Sequence, residues 1–219
     1  MERRLIVGVV GNAACWYGSS NSNDRKKWDL AYDLGKTLVD NGYRVLTGGG
    51  RGVMRAVMAG AHASKKYREG DTIAISPSYD ENDSNDFADI VIPTGLNEYR
   101  DCMVANCSVV VAIGGGSGTL NEISFAWKHC RLVIAYTNVE GWSATVAGVP
   151  LDNNHRYDFK EDKVWGVTNA QEVIEIIKKW SKKYNKVLGA LDIGKANFVE
   201  RKKSNWVGPK ITTKINKLP

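Results

Sequence analysis

Continuous apolar runs alternate along this chain with stretches whose apolar residues recur every three or four positions, and that change of period predicts the elements. LIVGVVG at 5–11 reads as a buried strand, followed by a polar loop over 12–27 and a helix from about Trp28 to Asn41. Ala31, Leu34 and Leu38 give that helix one apolar stripe, and Gly42 stops it. YRVLTGGG at 43–50 predicts a short strand running into glycines, and 52–66 a helix of small residues able to lie close against a sheet. Strands closed by proline follow at 72–77 and 88–93, then a helix at 96–106, a strand at 108–113, a helix at 118–129 and a strand at 131–136. Residues 168–184 open with Thr168-x-x-Gln171, the pattern of a capping box, and repeat apolar residues at helical spacing.

Strands that are apolar throughout and alternate with helices argue for a parallel sheet covered on both faces. The expected fold class is therefore α/β: a doubly wound, Rossmann-like, mainly parallel sheet with helices on both faces. No internal repeat or second domain is visible. Residues 1–185 read as one domain and residues 186–219 as a basic C-terminal tail without clear periodicity.

Composition narrows the function classes. With 219 residues, 43% hydrophobic and 25% charged, the chain reads as an ordinary globular protein. No run approaches the ~18 apolar residues of a membrane span. The basic start of MERRLIVGVVG resembles an export signal only faintly, and its short apolar stretch reads as the first strand. Cys15, Cys102, Cys107 and Cys130 lack metal-ligand spacing; they read as reduced thiols of a cytoplasmic protein, and no metal site is expected. The net charge of +6 lies wholly in 186–219, where eight Lys or Arg face only Asp192 and Glu200. It therefore says little about the ligand of the domain. Without an aromatic RNA-binding strand or a recognition helix, nucleic acid is not expected as a partner.

Three glycine-bearing junctions fall at predicted strand ends: Gly8 to Gly11, Gly48 to Gly52, and Gly114 to Gly118. In such sheets ligands collect at the carboxyl ends of the strands. The first junction, GVVGNAAC, lacks the G-x-G-x-x-G of dinucleotide enzymes, and neither of the others carries the Gly-Lys-Ser/Thr of a Walker loop. The second and third share one design, strand–glycines–helix. Glycines let backbone N–H groups approach a phosphate, and a helix N-terminus adds favourable partial charge. Two such ends aimed at one crevice suit a single monophosphate. A tight turn is the other use of such glycines.

GGGRGVMRAVMAGAH at 48–62 followed by GGGSGTLNE at 114–122 resembles the paired motifs of the Lonely Guy family of nucleoside 5'-monophosphate phosphoribohydrolases. The likeness spans about residues 5 to 180 and looks closest to a branch of Rossmann-like nucleotide-binding proteins that includes a molybdenum-cofactor carrier. It implies a homodimer without a resident cofactor, holding a nucleoside monophosphate or related phosphorylated ligand. Gly48, Gly49, Gly50 and Gly52, with Val53 and Met54, form the first motif; Gly115, Gly116, Ser117, Gly118 and Thr119 form the second. The glycines and Thr119 would cradle the phosphate, with Glu122 near the ribose. The family's arginine maps onto Arg100 in LNEYRDCM. Two positions depart from the pattern: Gly114 replaces a proline, and Asp101 stands where a lysine follows the arginine. An older label for such proteins, lysine decarboxylase, finds no pyridoxal-phosphate lysine motif here.

The implied reaction hydrolyses an N-glycosidic bond to base plus ribose 5-phosphate, through a ribosyl cation-like transition state. Glu122 would stabilise that cation and position or deprotonate water, while Arg100 pairs with Glu122 or assists the departing base. The alternative is a non-catalytic carrier or sensor of a nucleotide or phosphorylated cofactor. Thr119-x-x-Glu122 is equally a capping box, a role compatible with chemistry. Asn12 and the loop to Lys27 follow the first strand as a base-facing wall, where Trp16 and Tyr17 either stack on a purine or simply pack. Arg51 and Arg55 are either phosphate partners or surface charges. The glycine-marked loop around Trp142 lies over the site or at a subunit contact, His129 caps its helix, and Trp180 belongs to the core.

Overall fold

The computed structural model of the chain describes residues 3–157, 159–188 and 199–200. In chain order the elements are β1 (Ile6–Gly11), α1 (Ser22–Asp40), β2 (Arg44–Thr47), α2 (Val53–His62), β3 (Thr72–Ser76) and β4 (Ile90–Pro93). Then come α3 (Asp101–Val104), β5 (Val109–Ile113), α4 (Ser117–Lys128), β6 (Leu132–Tyr136) and α5 (Trp142–Val146). The last are β7 (Asn154–His155), β8 (Trp165–Val167), α6 (Ala170–Leu188) and β9 (Val199–Glu200). Seven strands form one sheet in the order β4-β3-β2-β1-β5-β6-β8, and every pairing in it is parallel. This is the doubly wound α/β architecture expected from the alternation of periods.

Burial on both faces explains why the strands are apolar at every position. On β5, Val109, Val111 and Ile113 point into the layer built with α1, α2 and α6, while Val110 and Ala112 meet α3, α4 and α5. The neighbouring β6 repeats the pattern, with Leu132, Ile134 and Tyr136 on the first side and Val133 and Ala135 on the second. Trp180 of α6 is buried in the first layer. Strand order reverses between β1 and β5, where Gly11 pairs with Ile113. The carboxyl ends of these two strands form the crevice of such a sheet.

The small residues of α2 serve a different contact from the one expected. They let α2 cross α1 at backbone distance, rather than lie close on the sheet alone. A Cβ added at Gly60 would stand 1.9 Å from the Tyr32 carbonyl oxygen, and one at Gly35 1.8 Å from that of Val57. Two glycines, one from each helix, make the crossing possible.

Several boundaries differ from the sequence expectation for identifiable reasons. Helix α1 starts at Ser22 rather than near Trp28, because the Asn21 side chain accepts hydrogen bonds from the N–H groups of Asn23 and Asp24. The helix expected over 96–106 is a 3₁₀ turn, Asn97–Arg100, followed by the short α3. Positive φ at Gly95 (63°) and Asn97 (48°) breaks its start. The segment around Trp142 is not a loop but α5. Strand β8 is three residues long at the sheet edge and only partly buried, too little for a periodic signal. The cap of α6 sits one residue later than Thr168-x-x-Gln171. Asn169 accepts from Glu172 N at 3.0 Å, and Glu172 reaches back to Thr168 N at 2.6 Å. Helix α6 continues past 185, and β9 pairs antiparallel with β7. The rest of the expected tail lies outside the described residues.

The α1–α2 crossing gives a test. Replacing Gly60 with Ala gains about 1 kcal/mol of helix propensity, but the added methyl overpacks against a carbonyl and costs about 2–3 kcal/mol. Gly60→Ala is therefore expected to lower the melting temperature by roughly 2–8 °C. Gly118→Ala, whose Cβ would meet nothing within 4 Å, should stay within about 0.5 kcal/mol of the parent. Equal melting of Gly60→Ala and the parent would show that the helices part without cost.

Candidate functional site

At the end of β1, Asn12 joins three junctions. Its Oδ1 accepts from Gly115 N at 2.5 Å, its carbonyl accepts from Val53 N at 2.8 Å, and its own N–H donates to the Ile113 carbonyl at 3.4 Å. The turn after β5 is held from its other side by α5. Ser143 Oγ accepts from Gly114 N at 2.8 Å and donates to the Tyr136 carbonyl at 2.7 Å. The N–H groups of Trp142 and Ser143 donate to the carbonyls of Gly115 and Gly114. Gly114 (φ 63°) and Gly115 (φ 94°) adopt the left-handed conformation this double clasp requires.

What the clasp releases is the start of α4. Its first intrahelical bond runs from Leu120 N to the Gly116 carbonyl, and no side chain caps the helix. The N–H groups of Gly116, Ser117, Gly118 and Thr119 have no acceptor among the described residues. Cβ atoms added at Gly116 or Gly118 would meet nothing within 4 Å, so both face open space. That space is a cavity of about 360 Å³, lined by Gly11, Asn12, Met54, Arg100, Gly118 and Glu122 among others. Because α4 begins at Ser117, Thr119 and Glu122 lie inside the helix, and the capping-box reading of Thr119-x-x-Glu122 does not hold.

Glu122 instead faces Arg100. Nη1 of Arg100 donates to Glu122 Oε1 at 3.0 Å and to Asp101 Oδ1 at 2.9 Å, while Asp101 Oδ2 accepts from Asn121 at 3.0 Å. Glu122 and Asp101 are both buried, and Arg100 Nε is buried without a partner. Burial pushes the Glu122 carboxyl up to about 7; Arg100 opposes the rise and Asp101 adds to it. The N–H groups at the start of α4 and the guanidinium can attract an anion, and a carboxyl held up to about 7 beside them can exchange a proton.

The first glycine motif does other work here. A Cβ at Gly48 would lie 2.5 Å from Arg100 Nη2, so Gly48 makes room for that guanidinium. The carbonyl of Gly49 accepts from Asn85 N and, like that of Gly50, from Asn85 Nδ2. Gly52 (φ 61°) abuts Asn12 and Ala13, where a Cβ would stand 2.1 Å from the Asn12 carbonyl oxygen. Val53 is fully buried with its N–H on Asn12, and only Met54 of this motif lines the cavity. Arg51 and Arg55 line a separate cavity with Trp16 and Tyr17, and Arg55 pairs with Asp86 at 3.0 Å. His129 stands at the C-cap of α4. Sequence reasoning missed Asp101 and Ser143 as members of the site, and also the buried Lys27, whose Cε borders Gly114. Their contacts link distant segments, and no local spacing signals them. Among the described residues no group of three or more His, Cys, Asp or Glu is placed to hold a metal ion, and no helix is long and apolar enough to cross a membrane.

The SLOG cluster4 family matches residues 4–174, and the chain belongs to it. An uncharacterized protein of Archaeoglobus fulgidus is 33% identical over 130 residues, covering 59% of this chain and 78% of its own. The molybdenum cofactor binding protein of Rippkaea orientalis superposes with a TM-score of 0.61 at 28% identity, over 82% of this chain and 98% of that one. For the molybdenum cofactor carrier protein of Chlamydomonas reinhardtii the TM-score is 0.59 at 27% identity, over 81% and 98%. DNA processing protein A of Helicobacter pylori shares the fold alone, at 18% identity and a TM-score of 0.54 over 80% of each chain. The resemblance drawn from the paired glycine motifs thus holds: the chain sits in a Rossmann-like family beside molybdenum-cofactor carriers.

The Glu122 environment predicts a pH signature. Its folded pKa of about 7 lies above the ordinary 4.5, so the native state retains a proton that the unfolded chain releases. The wild type therefore loses stability as pH rises from about 4.5 to about 7, and no more above that. Glu122→Gln lacks this loss, so its stability relative to wild type should rise across that window, by about 3 kcal/mol at most. Denaturant melts at a series of pH values measure it, and a pH-independent difference would mean Glu122 is ionised throughout.

Proposed function

We propose that this protein binds a phosphorylated, nucleotide-like ligand at the carboxyl end of its sheet, with the phosphate on the N-terminus of α4, and that it carries or senses that ligand. The observation that carries the reading is the row of four N–H groups, Gly116 to Thr119, without acceptors among the described residues and facing a cavity that two glycines leave open. A helix start of this kind attracts an anion through its N–H groups and its partial positive charge. Arg100, with an unpartnered Nε beside the same cavity, adds a formal charge. The solved neighbours named for binding or carrying the molybdenum cofactor support a carrier role, with the cofactor or a related phosphorylated compound as cargo. Asn12 contributes by shaping the cradle, since its side-chain oxygen is engaged by Gly115.

A second reading is favoured by Glu122. A buried carboxyl titrating at about 7 beside Arg100 suits hydrolysis of the N-glycosidic bond of a nucleoside 5'-monophosphate. Ionised, it would stabilise a ribosyl cation and take a proton from water; the phosphate anchor would orient the sugar toward it. The two readings share the phosphate site and differ in turnover. A homodimer completes the proposal, with the folded unit running past residue 185 through α6.

Calorimetry with nucleoside monophosphates, together with an assay for released base, tests both. Gly118→Val fills open space, so it should fold normally and bind a monophosphate about 10- to 100-fold more weakly. Unchanged affinity would remove the α4 cradle. Should wild type release base, Glu122→Gln is expected to bind normally and turn over roughly 10²-fold more slowly or worse. Binding without release from any monophosphate leaves the carrier reading alone.

A further inference from the structure

Beside the phosphate cavity lies a second one of about 530 Å³, within the ~300–1,000 Å³ range of small-molecule sites. Its lining is rich in aromatics, Trp16, Tyr17, Trp28 and Phe87, together with Arg51 and Arg55. Trp16 and Tyr17 are 53% and 71% exposed, unusual for two adjacent large aromatics in a loop. They are nevertheless positioned. Tyr17 meets Trp16 edge-on at 5.9 Å and Trp28 at 5.8 Å between ring centroids. Gly18 lies directly against the Trp16 ring, where a Cβ would come within 2.3 Å. Cys15 also lines this cavity, and burial pushes its thiol up to about 11, so it stays neutral and adds apolar surface.

The two cavities adjoin. Ala13 and Ala14 line both, and a Cβ at Gly52 would press on the Ala13 backbone, so the small residues Gly52, Ala13 and Ala14 lie where the two meet. We propose that the aromatic cavity is a ring-binding subsite, and that the ligand is a planar heteroaromatic group joined through a spacer over Ala13 and Ala14 to the phosphate on α4. This rests on the phosphate reading above for the far end of the ligand. Indole and phenol faces stack on any flat heteroaromatic ring, and Arg51 and Arg55 add cation–π attraction or meet a second phosphate in the spacer.

Stacking tolerates any base, so adenine serves as the probe ring. The experiment measures binding of AMP, ADP, adenosine and ribose 5-phosphate by calorimetry and tryptophan fluorescence. The proteins are wild type, the double variant Trp16→Ala/Tyr17→Ala, and Gly118→Val. Wild type is expected to bind AMP or ADP about 5- to 100-fold more tightly than ribose 5-phosphate, with quenched fluorescence. The double variant should lose that preference and keep its ribose 5-phosphate affinity. No preference for the ring compounds in wild type, or full preference in the double variant, overturns the proposal. If Gly118→Val leaves ribose 5-phosphate binding intact while the double variant loses the ring preference, the phosphate reading falls and the ring subsite stands.

Discussion

Three backbone segments meet at Asn12, and the geometry of the site depends on the hydrogen bonds made there. The Oδ1 of this residue holds the turn after β5 through Gly115 N, its carbonyl holds the start of α2 through Val53 N, and its N–H reaches Ile113. Each bond is an ordinary contact of a half-buried residue, with a net worth of at most about 1 kcal/mol. Their joint effect is geometric: the ends of β1 and β5 and the N-terminus of α2 hold fixed relative positions at the point where strand order reverses. Glycine enables the arrangement at Gly52, where any side chain would strike the Asn12 carbonyl.

The same economy explains which N–H groups remain for a ligand. Gly114 and Gly115 give their N–H groups to Ser143 and Asn12, and Val53 gives its own to Asn12. These groups hold the loops. Those of Gly116 to Thr119, which follow directly, have no acceptor among the described residues and face a cavity. Such groups are costly to bury unsatisfied, and solvent or an anion relieves that cost. A glycine-rich junction thus divides into a half that builds the turn and a half that faces the cavity.

Charge is distributed with similar restraint. One guanidinium nitrogen of Arg100 serves two carboxylates, Glu122 and Asp101, and the space for the guanidinium comes from Gly48 on the far side. Two acids share one cation in a dry setting, and desolvation pushes the Glu122 carboxyl up to about 7, so its neutral form prevails only below that pH. A neutral Glu122 does not repel a phosphate held on α4, whereas an ionised one would. On the proposed phosphate-binding reading, the protonation state of Glu122 would thus set how well the site holds an anion, even without a reaction.

Much of this was legible in the sequence. Apolar strands alternating with helices specify a parallel sheet, because only burial on both faces makes every strand position apolar. The glycines of 48–52 and 114–118 announced strand ends, and Glu122 and Arg100 stood out by motif. Tertiary structure alone decided how those residues are used. That Thr119 and Glu122 lie inside α4 instead of capping it depends on the helix starting at Ser117, which the clasp by Asn12 and α5 determines. That Gly48 admits Arg100, that Gly60 lies against α1, and that Ala13 and Ala14 line two adjoining cavities are matters of segments far apart in the chain. Periodicity and local motifs record what each residue needs from its own element, namely burial, φ and capping. Which distant group fills the space beside a missing side chain is set only when the sheet brings the strand ends together.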